Sequence, residues 1–430
     1  MILSLAFIEN RMSELKMKVK FNIKTFLNIL EYLLIVGLIL SSGSEFFSIF
    51  HATTTLIVWF VVGIIYFVIA GKKLKKKAFY TASIIVSILF FNLVMHIQYT
   101  IDYTFFLAML LKLFMLLIIS NSMTVDRFKK IFTEIMFFEA VISIICFVLI
   151  TIVKVDVLPY QEEIQVIKQS GNGYDIIYLT PYYTVGALSS GGNYIRNSGI
   201  FVESPMHQIF LNLALLFTME GFSGIGKKKR NMFIIIFVLS IISTRSMGGY
   251  LVFMCVIAWY LFCSNRAVSN IRNKLIAFFL AVCFLLYNLM ISGTFDRLIY
   301  GTGTMITRTN DTLGAFRMSL LHPIIGDGAF NEHHVSAELY GVTTGSNGLM
   351  SLLYYYGYPI IALYLIRILY VVKKHFKKNM LWMVLFGILL LTLFVEPIGQ
   401  YPIYLIFLFG WENGGVINDS LNHSNNSASN

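Results

Sequence analysis

The sequence predicts an all-α, polytopic integral membrane protein with about twelve transmembrane helices. Three observations predict it. Hydrophobic residues make up 57% of the 430 residues and charged residues only 13%, about half the charged share of an ordinary soluble domain. Mean hydropathy is +0.75. Apolar runs recur along the whole chain, most of them near the ~20 residues needed to cross hydrocarbon. They lie near 25–42, 54–70, 78–96, 103–119, 132–154, 206–222, 231–243, 250–263, 275–292, 346–371, 380–395 and 402–411. Inside a bilayer each segment must satisfy its own backbone polar groups, so these runs are expected to be helices. The runs at 231–243 and 402–411 are short, and either is open to a re-entrant reading.

The charges orient the runs. With a cytoplasmic N-terminus and strict alternation, 24 of the 33 Lys and Arg residues fall in inside segments and seven fall outside, while Lys112 and Arg367 lie within runs. The net charge of +11 therefore reads as a positive-inside signal rather than as a nucleic-acid surface. Both termini are then cytoplasmic. The first seven residues are apolar but too few for the h-region of a signal peptide. Cys146, Cys255, Cys263 and Cys283 all fall in runs, with neither a disulfide framework nor a metal spacing. The expected organisation is one transmembrane domain over 1–415, followed by an Asn- and Ser-rich tail over 416–430 expected to be disordered and cytoplasmic.

Two connections are long, 155–205 and 293–345, and alternation puts both outside. Connections of that length usually carry function or are disordered. The first holds Tyr160, Tyr174, Tyr178, Tyr182, Tyr183 and Tyr194, which suit sugar rings and lipid headgroups or an interfacial aromatic belt. Its basic residues and those of the second are Lys168, Arg196, Arg297, Arg308 and Arg317, against ten acidic ones. Positive-inside bias accounts for the lysines inside but not for arginines outside. The guanidinium is a planar fork suited to bidentate phosphate or carboxylate binding; pairing with a local carboxylate is the plainer alternative.

Within the runs, charges are costly. Lys112 is expected to pair with Glu31 or Glu139, with binding of a lipid phosphate as the sharper alternative. Arg367 lies near an inside end and is expected to snorkel. The stretch Gly221–Lys228 nearly spells a phosphate-binding loop, but Lys228 stands where Ser or Thr is required and no strand precedes it, so it reads as a basic inside loop.

Four short motifs carry a family resemblance. The segment Arg196-Asn-Ser-Gly-Ile-Phe-Val-Glu-Ser-Pro205 resembles the Arg-x-x-Gly-(Ile/Leu)-Phe-x-(Glu/Asn)-Pro signature of the O-antigen polymerase and O-antigen ligase superfamily, with Ser204 inserted before the proline. Arg308 precedes His322-Pro-Ile-Ile-Gly-Asp-Gly328, similar to the family's Arg…His-Pro-(Ile/Leu)-(Ile/Leu)-Gly-x-Gly. Ser346-Asn-Gly-Leu-Met350, leading to Tyr356-Gly-Tyr-Pro359, resembles the (His/Ser)-Asn-(Ser/Gly)-x-Leu…Gly pattern, and Ser243-Thr-Arg-Ser-Met-Gly248 the Ser-Arg-x-Gly turn. Together they span about residues 190–360; the first five runs are matched in hydropathy alone.

The resemblance implies a GT-C-like glycosyltransferase in the bacterial cytoplasmic membrane. It implies joining of oligosaccharide repeat units linked to undecaprenyl pyrophosphate on the outer face, inverting, with no metal or other cofactor. The implied partners are that lipid-linked oligosaccharide, membrane lipids, and flippase and chain-length regulator proteins. Arg196 and Arg308 carry over as pyrophosphate ligands, which Arg317 and Arg245 are placed to join. Glu203 is a general base or a group that fixes Arg196. Asn347, Ser346 and Asp327 complete the expected substrate contacts. Ligases of the superfamily carry histidine where Ser346 stands, which favours a polymerase; His333 and His334 are the candidate substitutes for a base, while His322 is expected to shape the turn before Pro323. A ligase-type transferase and a transporter or flippase are the alternatives.

Overall fold

The computed structural model describes residues 23–44, 52–71, 74–153, 174–180, 183–188, 195–222, 224–264, 270–291, 303–331 and 347–411. Among these lie fourteen α-helices: α1 (Ile23–Leu40), α2 (Ala52–Ala70), α3 (Lys76–Met95), α4 (Tyr103–Ser122), α5 (Val125–Val148), α6 (Ser204–Glu220), α7 (Lys227–Thr244), α8 (Met247–Phe262), α9 (Ile271–Ile291), α10 (Gly303–Leu321), α11 (Gly348–Tyr356), α12 (Tyr358–His375), α13 (Leu381–Val395) and α14 (Pro402–Phe409). Among the described residues, seven helical segments are long and apolar enough to cross a membrane: those beginning at Ile23, Thr53, Lys76, Tyr103, Val125, Ile271 and Lys378. The chain is a helical, membrane-spanning protein.

The helices start where side chains cap them. Asp102 accepts from Phe105 N at α4, Thr124 from Arg127 N at α5, Ser246 from Gly249 N at α8 and Asn347 from Met350 N at α11, each satisfying a donor that the first turn leaves unpaired. In lipid the apolar effect does not drive helices together, so close packing and polar contacts hold the bundle. Gly37 lets the Trp59 ring lie against α1, where its Nε1 donates to Leu34 O at 2.9 Å.

The two ends of the bundle are distinct. At one, the starts of α1, α5 and α7 meet the ends of α6 and α12. Arg127 Nε lies 2.7 Å from Glu31 Oε2, Lys129 Nζ 2.8 Å from Glu220 and Lys229 Nζ 2.8 Å from Glu134, and Lys129 also lies 5.0 Å from the Phe376 ring centroid. These are the basic segments that alternation assigns to one side. At the other end, the α1 terminus meets the α6 start through a Ser44–Phe201 bridge.

Four features depart from the expected outline. Tyr174–Thr180, Tyr183–Leu188 and Ile195–Asn197 form a three-stranded antiparallel sheet, β1-β2-β3, within the first long connection, so the all-α description covers the bundle but not this segment. The second connection contains α10. The run at 346–371 is two helices: Gly357, at φ 78°, ends α11 and Pro359 starts α12. The run at 402–411 is α14, only 8 residues long, about 12 Å at 1.5 Å per residue. All eight of its residues are buried, consistent with a short segment enclosed by protein rather than one that crosses lipid alone. The tail at 416–430 lies outside the described residues.

Candidate active site

The first motif is threaded into the bundle. Arg196 sits on β3 opposite Gly186; the chain then dives between α5, α6 and α7. Asn197 Nδ2 donates to Ser143 Oγ at 3.2 Å and Ser243 Oγ at 2.9 Å, while its Oδ1 accepts from Gly199 N at 3.0 Å. Gly199 adopts φ +55°, and a Cβ there would strike Glu139 Oε1 and come within 2.9 Å of the His207 ring. Glycine is thus required for both conformation and space. His207 Nε2 lies 2.8 Å from Glu139 Oε2, and its Nδ1 lies 3.4 Å from Asn197 O. Phe201, fully buried, stacks on His207 and on Phe210. The interior of the motif is therefore structural, and its charged ends, Arg196 and Glu203, lie half-buried and exposed respectively.

The fourth motif makes the α7–α8 turn. Arg245 holds φ 47°, ψ 36°, an uncommon left-handed conformation for a non-glycine residue, and its guanidinium lies 5.8 Å from the Phe147 ring centroid. Two glycines let α8 start close to its neighbours: a Cβ on Gly248 would lie 3.2 Å from Val395 and one on Gly249 2.7 Å from Gln208. Tyr250 donates to Ile242 O at 2.7 Å, and its hydroxyl is within electrostatic reach of both Arg245 and Arg196. Arginines from two separate motifs thus stand on linked segments, joined by the Asn197–Ser243 hydrogen bond.

Across Val395 lies a third group. Glu396, buried, ends α13. A Cβ on Gly348 would strike Glu396 O and lie 2.8 Å from Leu393 O, so α11 starts directly against this link. Asn347 caps α11, with Nδ2 3.4 Å from Thr312 Oγ1 of α10. Tyr401 is within electrostatic reach of Glu396 and Glu203. The start of α6, the α7–α8 turn, the end of α13 and the start of α11 therefore gather at the end opposite the basic segments.

The second motif does something else. Gly326, Asp327 and Gly328 wrap the α11–α12 break: Asp327 N donates to Tyr354 O at 2.6 Å, Gly328 N to Tyr355 O at 3.2 Å and Tyr358 N to Pro323 O at 2.8 Å. A Cβ on Gly326 would lie 2.5 Å from the Tyr355 backbone. Asn92 of α3 clamps this link, donating to Ile325 O and Tyr355 O and accepting from Ala329 N. Asp327 itself lies 4.0 Å from His322 Nε2 and at the opposite end of α11 from Asn347.

Of the expected site residues, Arg196, Arg245, Glu203 and Asn347 are brought to the same end of the bundle. Arg317 is exposed on α10. Arg308 belongs to α10 by its backbone, with its side chain outside the described residues, as are Ser346, His333 and His334. Lys112 is buried, but the carboxylates expected beside it serve other groups: Glu31 accepts from Arg127 and Tyr66, and Glu139 faces His207. Sequence reasoning passed over His207, Tyr250, Glu396 and Asn92. Glu396, a carboxylate between an apolar run and Pro397, is the one a composition scan had reason to flag.

No protein-family model, no curated protein and no solved structure matches the chain.

Proposed function

We propose that the chain is a polysaccharide repeat-unit polymerase, a GT-C-like enzyme with about twelve spans that joins undecaprenyl-pyrophosphate-linked oligosaccharides on the outer face of the bacterial cytoplasmic membrane. The observation that supports this reading is that the Asn197–Ser243 hydrogen bond ties the Arg196 segment to the turn bearing Arg245, with Glu203 at the start of α6 beside them, at the end of the bundle away from the basic segments.

The chemistry asks for such a pair. Cleavage of a glycosyl pyrophosphate builds negative charge on the leaving group, and guanidiniums fixed in advance stabilise that charge as it develops. A charge pair at about 4 Å is worth roughly 1 kcal/mol in water and about 4 kcal/mol at an effective dielectric of 20, so the partly enclosed setting of Arg196 matters. Arg308, on α10, supplies further cation, whereas Arg317, nine residues on, falls on the opposite face of that helix. Glu203 lies exposed at the N-cap of α6, with no side-chain bond into the helix. It is open to an acceptor hydroxyl, from which it removes the proton as that oxygen attacks the anomeric carbon and the pyrophosphate oxygen leaves. Asn347 caps α11 and so holds the start of that helix at this end, while Asp327 N fastens the loop to the other end of α11 through Tyr354 O.

Reconstituted protein supplied with an undecaprenyl-pyrophosphate-linked repeat unit is expected to release undecaprenyl pyrophosphate in step with glycan growth, without ATP or added metal. Release without growth, or growth that requires ATP, contradicts the proposal.

A further inference from the structure

A crevice unconnected with the outward site opens between α3 and α12. Its upper part is a cavity of about 300 Å³ lined almost wholly by aliphatic side chains, among them Ile84, Ile88, Leu89 and Ile360, with Leu113 of α4 and Leu405 of α14 at its floor. Its lower part, at the end of the bundle that carries the basic segments, is a second cavity of about 250 Å³ lined by Lys77, Lys374, His375, Tyr80 and Tyr370. Thr81 and Arg367 line both cavities, so the two adjoin along one crevice, narrowed where Arg367 donates to Thr81 Oγ1. From Thr81 to Leu89 it follows α3 for about 12 Å.

The lower part has the chemistry of an anion site. Lys77 and Lys374 approach from two different helices, and among the described residues no acidic side chain lines either cavity. Neither lysine forms a salt bridge among the described residues. Arg367 is engaged by the protein itself: Nε donates to Leu408 O at 2.7 Å and one terminal nitrogen to Thr81 Oγ1 at 3.2 Å. It closes the α14 C-terminus, adds positive charge at the waist of the slot and leaves the two lysines and two tyrosine hydroxyls for a ligand. Basic pockets between helices at this depth suit lipid headgroups. An apolar channel that continues from such a pocket suits an acyl chain.

We propose that the α3–α12 slot binds an anionic phospholipid of the leaflet on the basic side, its phosphate between Lys77 and Lys374 and one acyl chain along Ile84, Ile88 and Ile360. The occupant is a lipid rather than a soluble phosphate because the cationic pocket adjoins an apolar cavity in the same α3–α12 crevice. The proposal does not depend on the reaction proposed above.

The test is native mass spectrometry of the detergent-purified full chain titrated with phosphatidylglycerol, phosphatidylcholine or glycerol phosphate. The expected result is preferential retention of phosphatidylglycerol. Each lysine is worth about fivefold in affinity, so Lys77→Gln with Lys374→Gln is expected to reduce the preference by about thirtyfold. Lys373→Gln, whose ammonium lies over Trp382, is expected to leave it unchanged. A second variant, Ile88→Trp, blocks the channel and keeps the lysines; it is expected to lose the lipid and retain the wild-type melting temperature. Equal retention of the two lipids, full competition by glycerol phosphate, or undiminished phosphatidylglycerol binding in both variants would overturn the proposal.

Discussion

His207 Nε2 lies 2.8 Å from Glu139 Oε2, and both side chains are almost fully buried. The pair joins α6 to α5 beneath the chain segment that presents Arg196 and Glu203. Removing one partner strands a polar group in a dry interior, a loss of about 1–3 kcal/mol for a buried group left without its hydrogen bond. His207→Ala and Glu139→Ala are each expected to lower the thermal midpoint of the purified protein markedly. The double variant is expected to lose less than the sum of the two, as read by a double-mutant cycle of melting curves. Strict additivity would show that the two side chains do not act together.

Gly199 has no room for a side chain and holds φ +55°. Gly199→Ala is expected to cost about 1–2 kcal/mol in backbone conformation alone, and displacement of Glu139 and His207 adds to that. The measurable result is a protein that inserts in the membrane and melts earlier, with chain growth reduced at least tenfold. Wild-type melting and activity would mean that the segment relaxes freely.

Asn92 makes three hydrogen bonds across more than two hundred residues of sequence, to Ile325, Tyr355 and Ala329. Asn92→Leu is expected to leave those backbone groups unsatisfied at about 1–3 kcal/mol each. Proteolysis near the α10–α11 link should therefore accelerate in the variant; unchanged cleavage would remove the clamp assignment.

The spans could be read because uninterrupted apolar runs have few alternatives in a bilayer, and alternation of the basic clusters survives in the ion pairs at one end, Arg127–Glu31 and Lys229–Glu134. Length misled in two places. The run through Gly357-Tyr-Pro359 is apolar on both sides of a break that its glycine and proline signal, and α14 is apolar with all its residues enclosed by protein. Helix α10 went unread because Arg308, Asp311 and Arg317 make its sequence too polar for a span. The sheet was legible in principle: Tyr-Asp-Ile-Ile-Tyr-Leu-Thr and Tyr-Thr-Val-Gly-Ala-Leu are rich in β-formers and are separated by two residues.

Arg196 and Arg245 draw notice in the sequence because alternation of the runs sets them apart from the basic clusters. His207 does not, since one histidine in an apolar helix carries no mark of its partner. Depth alone pairs Lys112 with a carboxylate in the sequence, but depth does not say which helix faces which: Glu31 faces Arg127.

Glu203 stands exposed with no helix-capping bond, which suits a base more than a brace. Glu203→Gln is expected to reduce chain growth by about 10²–10⁴-fold while the melting temperature stays within a degree or two of wild type. A large fall in stability would mark it instead as a partner of Arg196.

The most direct measurement compares wild-type protein with Arg196→Lys and Arg308→Lys in vesicles, supplied with the cognate undecaprenyl-pyrophosphate-linked repeat unit and followed by glycan ladder length. Lysine keeps the charge and loses the bidentate fork. The account predicts a ladder from wild type and collapse of chain growth in both variants, with all three proteins inserted equally well. No ladder from wild type, or an undiminished ladder from both variants, would contradict it.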